Sequence, residues 1–315
     1  MILPKFKYQR ALSIAEAIDF YTQVDGQARY LAGGTDLIPL LKQRLLTPAV
    51  LIDLKHIKAL KTLSQDDGWL AIGANVALFD LKKDPLVKGY FPALAESLEV
   101  TACETLQMRG TLGGNILQDT RCLLYNKSLE WRTARGFCWK MGGQVCNVVP
   151  NAQACFSNYC SDNAPALITL SAQLKVAGPR GERTVQLEKI FSGDGRKPLA
   201  LEPGEILTQI RIPLEKTKGT YEKLRVRDSM DYPLVGVAVS VKGSSARVCV
   251  GGVGLSPRVY LLKNINENSV KDTSDQAVAD AKPVLNATLS PVYRKKMVAV
   301  LFKRAIEKVQ REGAL

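Results

Sequence analysis

Leu31-Ala32-Gly33-Gly34-Thr35-Asp36-Leu37, taken together with Arg109-Gly110-Thr111-Leu112-Gly113-Gly114-Asn115-Ile116, decides how this chain is read. The first stretch follows a short strand-like run, Ala28 to Leu31, and leads into an apolar helical pattern through Leu40 to Leu45. Adjacent glycines after a strand let backbone amides approach a bound anion, and Thr35 and Asp36 are residue types that cap a following helix. In the second stretch the glycines again allow N–H groups to face a pyrophosphate, while Thr111 and Asn115 add a hydroxyl and an amide. Neither loop has the Gly-x-Gly-x-x-Gly spacing of a doubly wound dinucleotide fold, and no Gly-Lys-Ser/Thr follows to make a Walker loop. A plain strand-to-helix connector is the competing reading of the first, and two such loops are more specific than one.

Around these loops the pattern predicts a helix over Ala11 to Val24 introduced by Ser13, and strands at Val50 to Leu54 and Trp69 to Gly73. It predicts helices beginning at Leu78 and over Phe91 to Val100, and a strand from Ile206 to Ile212 closed by Pro213. Val235 to Val241 and Ala246 to Val253 read as paired strands around Lys242-Gly243-Ser244-Ser245, and Pro291 to Glu312 as a long helix.

With 315 residues, 46% of them hydrophobic and 23% charged, the chain can build two domains with real cores. The N-terminus lacks the apolar run of a secretory signal, and no stretch approaches the roughly 18 apolar residues of a membrane span. The expectation is a cytoplasmic protein without membrane contact. Seven cysteines, an odd number, argue for thiols that are free or metal-bound. The net charge of +13 invites a nucleic-acid reading, but the bases form no long blocks and no recognition motif accompanies them. The densest tract, Arg294-Lys295-Lys296 with Lys303, Arg304, Lys308 and Arg311, has helical spacing, so an acidic protein partner is the better use of the charge. His56 is the only histidine, which removes Ser-His-Asp triads, His-based zinc hydrolases, Rieske clusters and His-ligated haem; any catalysis belongs to a cofactor.

Cys122, Cys138, Cys146 and Cys155 are separated by fifteen, seven and eight residues. No Cys-x-x-Cys pair occurs, so a zinc ribbon or small ferredoxin is a poor match. Four thiolates from one irregular loop suit an iron-sulfur cluster or zinc, against the alternative of four buried, inert cysteines. From Thr120 to Cys160 the bases Arg121, Lys127, Arg132, Arg135 and Lys140 face the single acid Glu130, which favours a negatively charged cluster.

The two glycine motifs, followed by Ser161-Asp162-Asn163-Ala164-Pro165-Ala166-Leu167, resemble the FAD-binding medium subunit of the xanthine dehydrogenase family of molybdenum hydroxylases. Tyr221 to Arg227 and Asp231 to Ala238 are similar to the opening of that family's C-terminal domain. About forty residues intervene between the Gly-Gly-Asn loop and the Ser-Asp segment, where the family has only a few. This insertion resembles the loop of the flavin subunit of 4-hydroxybenzoyl-CoA reductase, whose four cysteines hold an extra 4Fe-4S cluster.

The resemblance implies an α+β fold: residues 1–215 form an FAD-binding domain of two subdomains, with the iron-sulfur insertion at about 119–160, and 216–315 a small α+β C-terminal domain. It implies FAD contacts from Leu31, Ala32, Gly33, Gly34, Thr35, Asp36 and Leu37, from Thr111, Gly113, Gly114, Asn115 and Gln118, and from Asp162 and Lys223. Asp162 would bond the sugar portion of the flavin, or else cap the helix beginning near Ala164. The metal ligands would be Cys122, Cys138, Cys146 and Cys155, with Cys160 as the nearby competitor and Cys103 and Cys249 as small core residues. Implied partners are a large molybdopterin subunit and a small subunit with 2Fe-2S clusters, in a dimer of heterotrimers, with an acidic ferredoxin as electron donor. Two other readings stay open: the medium subunit of a different molybdenum hydroxylase with outward electron flow, and a zinc-stabilised basic binding protein.

Overall fold

The computed structural model describes residues 2–24 and 26–312, arranged around three sheets. The first is parallel, with Val50–Asp53 between Lys7–Arg10 and Ala28–Leu31. Parallel neighbours need crossovers, and helix Ile14–Thr22 supplies one; its start is set by Ser13, whose hydroxyl accepts the Glu16 N–H at 3.1 Å. The central strand is buried along its whole length, as its Val-Leu-Ile run requires.

The second sheet is antiparallel, in the order Leu63–Asp66, Trp69–Gly73, Ile206–Pro213, Gln173–Gly178 and Gly181–Gln186. Its Leu70, Ile72, Leu174 and Ile210 share a core with Leu78, Leu94, Leu98 and Leu167 of the helices that cover it. The third sheet runs Arg258–Leu262, Ser245–Gly251, Val235–Lys242 and Lys218–Leu224, with helices Glu267–Asp280 and Pro291–Glu312 against it. Its alternation feeds two cores: Val237 and Val239 meet Leu301 and Phe302, whereas Ala238 and Cys249 join the core of the second sheet.

The elements near the site follow the sequence expectation with small shifts. The helix after the first glycine loop is Leu37–Lys42, ending short of Leu45, and the strand expected to reach Val253 ends at Gly251. The insertion leaves and returns at one point, where Arg121 and Asn158 exchange backbone hydrogen bonds of 2.7 and 2.8 Å. Between those ends the regular structure is helix Leu129–Arg135 and the single turn Trp139–Met141.

Candidate functional site

The first glycine loop leaves the C-terminal end of strand Ala28–Leu31 and backs against the second. A Cβ on Gly33 would stand 1.9 Å from the Arg109 carbonyl oxygen, so this position needs glycine for the contact between loops as well as for any ligand. Together the loops line a groove of about 990 Å³. Ala32, Gly33, Gly34, Thr35, Asp36, Leu37, Thr111, Gly113, Gly114, Asn115, Gln118 and Asp162 all reach its surface. Leu31 and Lys223, expected among the ligand residues, do not line it.

The two loops offer different chemistry. The amides of Gly34, Thr35 and Asp36 donate to no acceptor among the described residues, leaving a run of N–H groups of the kind a phosphate takes up. The amides of Gly113 and Gly114 are engaged within the protein, with Ala74 O at 2.9 Å and Thr111 Oγ1 at 3.1 Å. Asp36 makes no capping bond. Its carboxylate accepts instead from the Arg121 guanidinium and, at 3.3 Å, from the Tyr232 hydroxyl, and Arg121 lies 3.7 Å from the Tyr232 ring centre. Gln118 Oε1 is buried without a partner among the described residues, an acceptor open to a ligand hydroxyl.

Asp162 does not cap its helix either; Ser161 Oγ takes the Ala164 N–H at 3.0 Å. The Asp162 carboxylate, on a residue only 3% exposed, accepts from Tyr221 OH at 2.9 Å and Lys223 Nζ at 3.0 Å. Burial pushes this carboxyl up to about 6, outweighing the pull of Lys223 and Tyr221. Lys223 also donates to Val100 O at 2.9 Å and Asp231 O at 2.8 Å. With all three protons committed, Lys223 positions Asp162 and is not itself a groove contact.

Cys122, Cys138, Cys146 and Cys155 line a second cavity of about 20 Å³. Cys160 stands in the wall of the groove instead, and so drops out as their competitor. Cys103 is half-buried, with its sulfur 3.3 Å from Thr105 Oγ1, and is not the core residue expected; Cys249 is. Among the described residues no three His, Cys, Asp or Glu side chains are gathered to hold a metal ion.

Val149 N lies 3.4 Å from Cys146 Sγ, whereas the amides of Tyr125 and Met141 donate to the main-chain carbonyls of Cys122 and Cys138 at 3.0 and 2.8 Å. Burial pushes the Cys122 and Cys138 thiols up.

Three of the insertion's five bases turn inward. Arg121 takes Asp36, Lys140 takes Asp119, and Arg132, 5% exposed, donates to the carbonyls of Lys127, Gln43 and Arg44. Of the five, only Lys127 and Arg135 are exposed. The bases fasten the insertion to the body because its many turn carbonyls and the nearby carboxylates need donors.

Two further residues had no signal in the sequence. Asn286 accepts Leu123 N–H at its main-chain oxygen (3.0 Å), donates Nδ2 to Phe156 O (2.6 Å) and accepts Asn158 Nδ2 at Oδ1 (2.8 Å). It therefore holds the chain just after Cys122 and just after Cys155. Gly195 packs on the same cysteine: a Cβ there would lie 2.9 Å from Cys155 Sγ.

Residues 4–215 match the family described as FAD binding domain in molybdopterin dehydrogenase. Fold and groove thus define an FAD-binding subunit of an oxidoreductase. The chain belongs to the medium-subunit family of the molybdenum hydroxylases. It is 31% identical over 312 residues to the aldehyde oxidoreductase FAD-binding subunit PaoB of Escherichia coli, covering 95% of this chain and 98% of that one. The carbon monoxide dehydrogenase medium chain of Hydrogenophaga pseudoflava is 28% identical, with 97% of each chain covered. Among solved structures, carbon monoxide dehydrogenase from H. pseudoflava lacking the Mo-pyranopterin moiety superposes with a TM-score of 0.79 at 26% identity, over 99% of both chains. Quinoline 2-oxidoreductase from Pseudomonas putida 86 gives 0.76 at 26% identity, also over 99% of both. Among the described residues no helix is long and apolar enough to cross a membrane.

Proposed function

We propose that this chain carries FAD in the groove and a 4Fe-4S cluster on Cys122, Cys138, Cys146 and Cys155, as the electron-transfer subunit of a molybdenum enzyme resembling 4-hydroxybenzoyl-CoA reductase. Four cysteines of one insertion facing a single cavity carry the reading. FAD exchanges electrons in pairs or singly and an iron-sulfur cluster singly, so the two can join different electron steps. The protein's own contribution is to hold them: the free amides of Gly34 to Asp36 and the Gln118 carbonyl offer bonds to the flavin nucleotide, and Asp162, oriented by Tyr221 and Lys223, offers a carboxylate to its hydroxyls. We assign FAD binding to residues 1–215, the cluster to the insertion at about 119–160, and the C-terminal domain to 216–315. A large molybdopterin subunit and a small 2Fe-2S subunit complete the complex, a dimer of heterotrimers, and an acidic ferredoxin feeds electrons inward toward reductive dehydroxylation of an aromatic acyl-CoA. Lys127 and Arg135 are the insertion's cations available to that donor.

A second reading has an observation behind it. The 31% identity to an aldehyde oxidoreductase subunit favours a different hydroxylase, with electrons flowing outward. Assaying the complex on aryl-CoA thioesters and on aldehydes separates the two. For the cofactors, iron, sulfide and FAD are measured after anaerobic purification, with low-temperature EPR of the reduced protein. Cys→Ala at each of the four positions is expected to remove the iron and its signal while FAD stays. Zinc in place of iron would overturn the cluster.

A further inference from the structure

The groove and the cysteine cavity share two lining residues, Tyr125 and Lys140, so a partition one side-chain layer thick separates them. Lys140 is the charge within that partition. Its side chain is 3% exposed, and its ammonium donates to Asp119 Oδ1 at 2.6 Å, to Gly195 O at 2.9 Å and to the Thr120 hydroxyl. It also stands 5.0 Å from the centre of the Tyr125 ring. These bonds hold the cation in place between the two cavities. Its counter-ion Asp119 has a side chain 33% exposed, so water screens the carboxylate far better than it screens the ammonium.

Resting on the two-cofactor reading above, we propose that Lys140 is a positioning residue of a particular kind: a fixed buried cation that raises the reduction potentials of the flavin and the cluster together. The physical reason is the sign of the charge. Each reduction adds negative charge to a group that sits against this wall, and a nearby cation in a poorly screened site favours that addition. Because Lys140 lines both cavities, removing its charge should lower both potentials in the same direction and leave their difference less changed than either value. Tyr125 adds its ring to the same wall.

The test is a spectroelectrochemical titration of the intact complex, reading flavin absorbance and cluster EPR against potential. Lys140→Gln keeps donors for the Thr120 and Gly195 oxygens and removes the charge; both midpoint potentials are expected to fall. Lys140→Arg should restore them toward wild type. Asp119→Asn removes the counter-charge and should move both upward, a reversal that a purely structural role would not produce. Unchanged midpoints in a Lys140→Gln protein that holds both cofactors would overturn the proposal. Should Lys140→Gln lose iron or flavin, Asp119→Asn decides, and unchanged potentials there overturn it equally. Failure of the cofactor reading itself shows earlier and separately, as wild-type protein without iron or without FAD.

Discussion

Asp162 carries two demands at once, since it faces the groove while sealed between Tyr221 and Lys223. An aspartate in an unfolded chain titrates near about 3.9, and here burial raises it to about 6. The folded protein therefore holds this proton more tightly than the unfolded chain. Its contribution to stability is fully present below the unfolded value and is lost as pH rises through the folded one. Asp162→Asn, which cannot ionise, is expected to flatten the fall in melting temperature across that window and to weaken FAD binding through the lost carboxylate. Thermal melts at several pH values, paired with flavin titration, read both effects; an unchanged slope would show that the proton is held elsewhere. The motif Ser161-Asp162-Asn163 was legible as a site, but its partners were not. Whether Asp162 caps a helix or meets Lys223 depends on a strand 61 residues away, and no local pattern encodes that distance.

The insertion is legible as an element and opaque in its orientation. Its boundaries show in the sequence because a glycine loop and a Ser-Asp segment bracket it, and its cysteines show because thiols at such intervals have few uses. Which of its bases would turn inward depends on the carbonyls of Gln43 and Arg44, on Asp36 and on Asp119, which the charge count treats as background. Asn286 belongs to the same class of residue, an ordinary polar side chain whose importance comes from what it meets. Asn286→Ala leaves Phe156 O and Asn158 short of partners in a buried setting, at a cost of about 2 kcal/mol. The expected outcome is a lower ratio of iron to protein with FAD retained, measured on anaerobically purified material. Loss of both cofactors in proportion would mean that Asn286 supports the whole fold and not the cysteine cavity.

Across the whole molecule the proposed division at residue 215 separates functions more cleanly than it separates cores. Tyr221, Ala238 and Cys249 complete the core of the second sheet, while Tyr232 closes over Asp36 and Arg121 at the groove. A chain ending at residue 215 is accordingly expected to aggregate or to bind FAD poorly, as circular dichroism and flavin fluorescence would reveal; a folded, stoichiometric flavoprotein from residues 2–215 would show the C-terminal domain to be dispensable. The long helix Pro291–Glu312 was readable from periodicity, yet its Arg294, buried and bonded to Leu234 O and Gly252 O, reads in the sequence only as one more surface base. The Asn286 clamp has a consequence for biosynthesis. Its partner Phe156 lies 130 residues upstream, so the ribosome releases all four cysteines long before the residue that pins them has been made. The backbone pair of Arg121 and Asn158 can close the loop as soon as residue 158 has emerged, whereas the Asn286 clamp can engage only near the end of synthesis, so the insertion acquires its shape in two stages.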